Sequence, residues 1–108
     1  MLGIFTAVLL SPSMVAWRIL SRCADAFMTV EEKDAIDAMR CLVRPAAGDP
    51  TVVAGESGGV GLAGLMRAAR DRNLRHALQL NQNSRILLVN TEGATDPVRY
   101  RELVEMEA

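Results

Sequence analysis

The sequence predicts an α/β domain, a partial three-layer unit in which helices flank a small, mainly parallel sheet. Two observations carry this. Short aliphatic or β-branched runs alternate with stretches of helical periodicity, the grammar of strand–helix units. Two loops, Gly55 to Leu65 and Asn90 to Tyr100, each follow such a run directly and lead into a helix, and loops at the carboxyl ends of strands are where open α/β sheets hold ligands. Parallel sheets are normally covered on both faces. With 108 residues and two or three strands, the chain (1–108) reads as a single, incomplete α/β domain.

The elements follow in order. Leu2 to Leu10 is apolar, far short of the roughly 20 residues that span a bilayer and without a basic segment before it, so it reads as a buried strand or the tail of one. Ser11 and Pro12 look like a helix start, and Met14, Trp17, Ile19 and Leu20 populate a helix to about Cys23. Phe27 to Val30 has strand character. Thr29 with Glu32 has the spacing of a capping box, followed by Ile36, Met39, Leu42 and Val43 at helical spacing. Arg44 to Pro50 is a linker that stops this helix.

Thr51, Val52 and Val53 then read as a strand, five glycines follow from Gly55 to Gly64, and a helix runs from about Leu62 to Arg70. Asn73 to Leu80 adds a further turn or two, and Asn81 to Ser84 is a polar connection. Arg85 to Val89 reads as the next strand and Thr91 to Thr95 as its loop. Asp96 followed by Pro97 gives an N-cap with proline at the first helical position, opening a helix to about Met106.

Composition narrows the function. The formal charge of −1, with both signs interspersed, leaves no electrostatic footprint for nucleic acid or anionic lipid. Cys23 and Cys41 lack companions for a metal site and read as reduced, buried small hydrophobes of a cytoplasmic protein. The run Glu31, Glu32, Lys33, Asp34 and Asp37 reads as a solvated helix face, and His76 as a surface residue.

The glycine loop admits several chemistries. Glycine lets backbone N–H groups come close to a ligand, and a helix start offers unpaired donors and partial positive charge, so a small nucleotide- or phosphate-binding module using Gly55 to Gly64 is one reading. Gly59, Gly61 and Gly64 fit G-x-G-x-x-G, but the acidic companion expected about 20 residues on is missing from Leu78 to Asn83. No Gly-Lys-Ser/Thr makes a P-loop, and Glu56-Ser57-Gly58 lacks the nucleophile-elbow pattern.

Taken together, AWRIL (Ala16 to Leu20), ADAF (Ala24 to Phe27), AMR (Ala38 to Arg40), VVAGESGGVGL (Val52 to Leu62) and LLVNTEGATDPVRYRELV (Leu87 to Val104) resemble the carboxyl-terminal part of diaminopropionate ammonia-lyases. These are pyridoxal-phosphate enzymes of the tryptophan-synthase-β fold type (fold type II), working in amino-acid catabolism. The similarity runs from about Ser11 to Val104. Ile4 to Ser13, IFTAVLLSPS, departs from the family pattern, which has Met-Ala-Gly-Leu and a Cys-Gly before Pro-Ser.

The resemblance implies an α,β-elimination that converts 2,3-diaminopropionate, a small amino-acid substrate, to pyruvate and ammonia, with most of the chemistry belonging to the cofactor. It implies that Thr91 supplies a hydroxyl to the pyridine nitrogen, that Glu56 and Ser57 lie beside the ring, and that Gly58 and Gly59 let the backbone approach it. It places the phosphate loop and the cofactor lysine in the family's amino-terminal region, outside this chain, against the generic reading of the glycine loop as an anion cradle. Lys33, the sole lysine, sits between Glu32 and Asp34 with nothing to desolvate or activate it. The expectation is therefore a chain with no catalytic and no metal-binding residue of its own, inactive alone, that forms a homo-oligomer or associates with the missing amino-terminal portion.

Overall fold

The computed structural model describes residues 4–6 and 13–105, with only the backbone of the former. They are mostly helical with little sheet. In chain order the elements are β1 (Ile4–Thr6), α1 (Met14–Cys23), β2 (Ala26–Met28), α2 (Glu32–Val43), α3 (Val60–Arg70), α4 (Arg72–Ala77) and α5 (Pro97–Glu105). β1 and β2 pair in parallel, Ile4 opposite Ala26 and Thr6 opposite Met28.

The helix starts follow capping chemistry, displaced from where the sequence placed two of them. Ser13, not Ser11 or Pro12, caps α1 by accepting from the Ala16 N–H at 3.2 Å. α2 is capped by Glu31 with Asp34, not Thr29 with Glu32: the Asp34 carboxylate accepts the Glu31 N–H at 3.0 Å. β2 ends at Met28, so Thr29 and Val30 are still leaving the strand, and Arg67 of α3 donates to the same Asp34 oxygen, Oδ2, at 2.8 Å. α5 opens as expected, with the Arg99 N–H donating to Asp96 Oδ1 at 3.0 Å behind Pro97.

α2 and α3 pack closely because small residues meet there: Ala35, Ala38, Ala63 and Ala68 are buried, and a side chain at Gly59 would touch Met39 and Ala38. α5 closes the other side of α2, with Met39, Leu103 and Val104 at the centre and Ile36, Val43 and Tyr100 around them. Helix carboxyl ends leave carbonyls without intrahelical partners. Two of those of α5 are met from α2 and its C-cap: Arg40 Nε donates to the Leu103 carbonyl at 3.1 Å, and a guanidinium nitrogen of Arg44, the cap residue, donates to that of Val104 at 3.3 Å.

Several expectations are corrected. Residues 51–53 and 85–89 form no ladder, so the only sheet among the described residues is the β1–β2 pair. Neither run has an adjacent strand to exchange hydrogen bonds with along its length, and strand formation needs one. Cys23 and Cys41 are free but exposed, not buried, because Cys23 ends a helix that buries no residue and Cys41 lies on the outer side of α2. The apolar opening run contributes β1, and its remainder lies outside the described residues, as does Met106.

Candidate functional site

The two loops singled out by the sequence lie against each other. The Gly55 N–H donates to the Glu92 carbonyl at 2.9 Å, and the Asn90 side-chain amide donates to the Val53 carbonyl at 3.3 Å. Both bridges advance in the same direction, so the segments run parallel where they enter their loops. Glycine is required at two of these points. A Cβ on Gly55 would lie 2.6 Å from the Gly93 carbonyl oxygen, and one on Gly58 would collide with Asn90 Oδ1 and the Glu92 carbonyl oxygen.

Beside this junction a cleft of about 450 Å³ opens between the first turn of α2, the glycine loop and the 92–96 loop. Met39, Val60, Tyr100 and Leu103 give it an apolar floor, while Glu31, Glu32, Glu56, Glu92 and Asp96 surround it with carboxylates. Arg99 is the cation among them. Its guanidinium lies 3.5 Å from Glu32 and 3.8 Å from Glu56, linking α5 to α2 and to the glycine loop. The Glu92 carboxylate is held in turn by the Thr95 hydroxyl, which donates at 3.1 Å.

Glu56 and Ser57 line the cleft. Thr91 does not; it is exposed at the junction, between Asn90 and Glu92, whose atoms meet the glycine loop. Neither the Ser57 nor the Thr91 hydroxyl hydrogen-bonds to another described residue. Gly58 and Gly59 are buried, and the close approach they permit is to Asn90 and Glu92 and to α2 respectively. Lys33 is 76% exposed and paired with Asp37 at 2.8 Å, one turn along the solvated face of α2. His76 is exposed on α4.

Two participants escaped the sequence. Nothing in the sequence distinguishes Arg99 from other helical arginines, because its bridge to Glu32 joins residues far apart in the chain. The Tyr100 hydroxyl is buried at the cleft without a hydrogen-bond partner among the described residues, and helical spacing alone revealed only that Tyr100 lies on α5. Among the described residues no group of His, Cys, Asp and Glu could hold a metal ion, and no helix is long and apolar enough to cross a membrane.

Comparison with known proteins points in one direction. No family model matches the chain. It is 38% identical over 97 residues to the diaminopropionate ammonia-lyase of Escherichia coli K12, a match that covers 86% of this chain and 24% of the relative. The Salmonella typhimurium enzyme of the same name is 32% identical over 97 residues, with the same coverage. Among solved structures, apo E. coli diaminopropionate ammonia-lyase superposes with a TM-score of 0.86 at 34% identity, covering 96% of this chain and 29% of that one. The same enzyme with an aminoacrylate-PLP azomethine reaction intermediate gives 0.80 at 37% identity, covering 87% and 26%. The resemblance to diaminopropionate ammonia-lyases thus holds in sequence and in three dimensions. The chain spans about a quarter of the length of the curated relatives it matches.

Proposed function

We propose that this chain is the carboxyl-terminal part of a pyridoxal-phosphate-dependent diaminopropionate ammonia-lyase, contributing the pyridine-nitrogen side of the cofactor site. The observation that carries the reading is the junction of the two loops, pinned by the Gly55–Glu92 hydrogen bond and carrying two hydroxyls, Ser57 and Thr91, that make no hydrogen bond among the described residues. The lyase resemblance supplies the chemistry.

The residues present fit one side of the cofactor. Thr91 is exposed and offers a neutral hydroxyl, able to donate or accept at a ring nitrogen. Glu56, braced by Arg99, and Ser57 line the cleft beside the junction. The aldehyde and phosphate ends are not served: the sole lysine pairs with Asp37 on an exposed helix face, and carboxylates crowd the cleft. When bound, the cofactor withdraws electrons from Cα of the amino acid so that the β-amino group can leave. This chain orients the ring edge and makes no covalent bond to it.

The same reading makes the chain inactive alone, and its partners a small amino-acid substrate and either further copies or the polypeptide that completes the site. Nucleic acid and membrane have no place in it, and the compartment is the cytoplasm. A solved E. coli relative is described in complex with D-serine, which supports a small amino acid as the substrate class. In the completed enzyme, residues 51–53 and 85–89 become strands of a mainly parallel sheet between helical layers. The phosphate-module alternative draws less support, because acceptor oxygens of Asn90, Glu92 and Gly93 crowd Gly55 and Gly58, where an anion would need donors.

The test is spectroscopic. Pyridoxal phosphate added to the 108-residue chain should keep the absorbance of the free aldehyde, and adding a lysine-bearing amino-terminal portion should shift it. Pyruvate production by the chain unaided, or an unchanged spectrum in a folded, completed enzyme, overturns the proposal.

A further inference from the structure

We infer that Arg99 is a positioning residue that acts through Glu56: it holds and neutralises the carboxylate of the glycine loop, so that the ring nitrogen of the cofactor is left to the neutral Thr91 hydroxyl. The ring's identity rests on the lyase reading, whereas the bridge itself is independent of any cofactor.

The carboxylates around the cleft are not held alike. Glu31 belongs to the capping box of α2, Asp96 Oδ1 accepts the Arg99 N–H at the start of α5, and Glu92 accepts the Thr95 hydroxyl at 3.1 Å. Those donors are neutral. Glu32 and Glu56 instead share the guanidinium of Arg99, at 3.5 Å and 3.8 Å. Both distances exceed the roughly 2.7–2.9 Å of a direct charge-assisted hydrogen bond, so the hold is mainly coulombic. A planar guanidinium fork can face a carboxylate from α2 and one from the glycine loop at once. The remaining titratable group of the cleft, Tyr100, has its hydroxyl buried.

The bridge does little for the fold. The side chains of Arg99, Glu32 and Glu56 are 52%, 65% and 38% exposed, and ion pairs this open to water add little stability. Its effect is on the electrostatic field in the cleft. A negative charge near a ring nitrogen raises the affinity of that nitrogen for a proton, and a cation beside the charge offsets it. Among the described residues that line the cleft, Arg99 is the sole cation. Without it the cleft keeps only its carboxylates, and a protonated ring is favoured over one that accepts from the Thr91 hydroxyl. Polypeptide that closes the site strengthens the effect, because charges act more strongly as water leaves.

The first measurement needs no cofactor. In the 108-residue chain, carbodiimide-promoted coupling of glycine ethyl ester, read by mass spectrometry, reports how freely each carboxylate reacts. Arg99→Gln should raise labelling at Glu32 and Glu56 by about threefold, the scale of a half-exposed ion pair. Labelling at Glu102, exposed on α5, and the unfolding midpoint should stay unchanged, and Arg99→Lys should restore part of the protection. The second measurement uses a single-chain chimera in which these residues replace the matched quarter of the E. coli relative, loaded with pyridoxal phosphate. The midpoint of the pH-dependent absorbance of the cofactor should rise by about one pH unit in Arg99→Gln, a tenfold gain in proton affinity. Adding Glu56→Gln should bring it back, a recovery that a purely structural role for Arg99 does not predict. Unchanged labelling of Glu56 in Arg99→Gln overturns the inference, as does bound cofactor whose midpoint ignores the substitution or fails to recover in the double variant. A folded chimera that takes up no pyridoxal phosphate, whatever stands at position 99, overturns the lyase reading and the inference together.

Discussion

Gly58 packs so closely against Asn90 that no side chain fits between them: a Cβ would collide with the Asn90 side-chain oxygen and the Glu92 backbone. The lattice of short contacts around it, with Gly55 against Gly93 on one side, holds together two loops that lie 37 residues apart in sequence. Contacts this close leave no slack, so the junction should respond to a single added methyl group.

Gly58→Ala should destabilise the fold by about 1–3 kcal/mol, the usual cost of forcing a methyl group into filled space. Gly93→Ala is the control. Nothing lies within 4 Å of its Cβ position, so the change should stay within about 0.5 kcal/mol. Denaturant midpoints of the two variants measure the difference, and equal midpoints would show that the loops do not press together at Gly58.

Much of this junction is legible in the sequence. The strand–loop–helix grammar locates both loops, and Asp96-Pro97 marks the start of α5 because capping chemistry is local. Strands at 51–53 and 85–89 are expected but not formed, because a run such as Ile86-Leu87-Leu88-Val89 declares only that it favours a pleated, buried setting. Whether a neighbour pairs with it depends on residues elsewhere. Arg99 and Tyr100 escape for the same reason: their roles arise where α5 meets α2 and the glycine loop.

Asp34 gives a pH signature. Its carboxyl is held below the usual carboxylate range, first by the Glu31 N–H it accepts and then by Arg67, against an upward push from burial. A carboxyl depressed in the folded state binds protons more readily when unfolded, so its contribution is complete above the unfolded value, near 3.8, and is lost as pH falls through the lower folded value. Asp34→Ala should cost about 1–2 kcal/mol near neutrality, as for a lost helix cap. It should also flatten the decline in thermal stability below about pH 4. An acid limb as steep as that of the parent chain would remove Asp34 from this role.

Among the described residues Met39 is the largest fully buried side chain, at the centre of the α2–α5 contact with Leu103 and Val104. Met39→Ala should cost about 2–5 kcal/mol through lost transfer energy and the cavity left behind, whereas Met39→Leu should cost less than about 1.5 kcal/mol. Equilibrium unfolding checks both. If Met39→Ala is no worse than Met39→Leu, the core lies elsewhere.

Thr91 carries the functional prediction. Thr91 is exposed and its hydroxyl makes no hydrogen bond within the described residues, so removing it should leave the stability of the isolated chain within about 0.5 kcal/mol of the parent. In a completed enzyme the same hydroxyl would be enclosed against the pyridine nitrogen, where loss of a buried hydrogen bond costs about 1–3 kcal/mol. Thr91→Ala should therefore weaken pyridoxal-phosphate affinity or slow elimination by roughly 5- to 150-fold, taking about 1.4 kcal/mol per tenfold change. Thr91→Ser should restore most of the loss because it restores the hydroxyl. Rescue by Ser but not by Val, which matches the shape of Thr without its oxygen, separates a hydrogen bond from simple packing. A completed enzyme in which Thr91→Ala keeps parental affinity and rate would place the ring nitrogen against some other group.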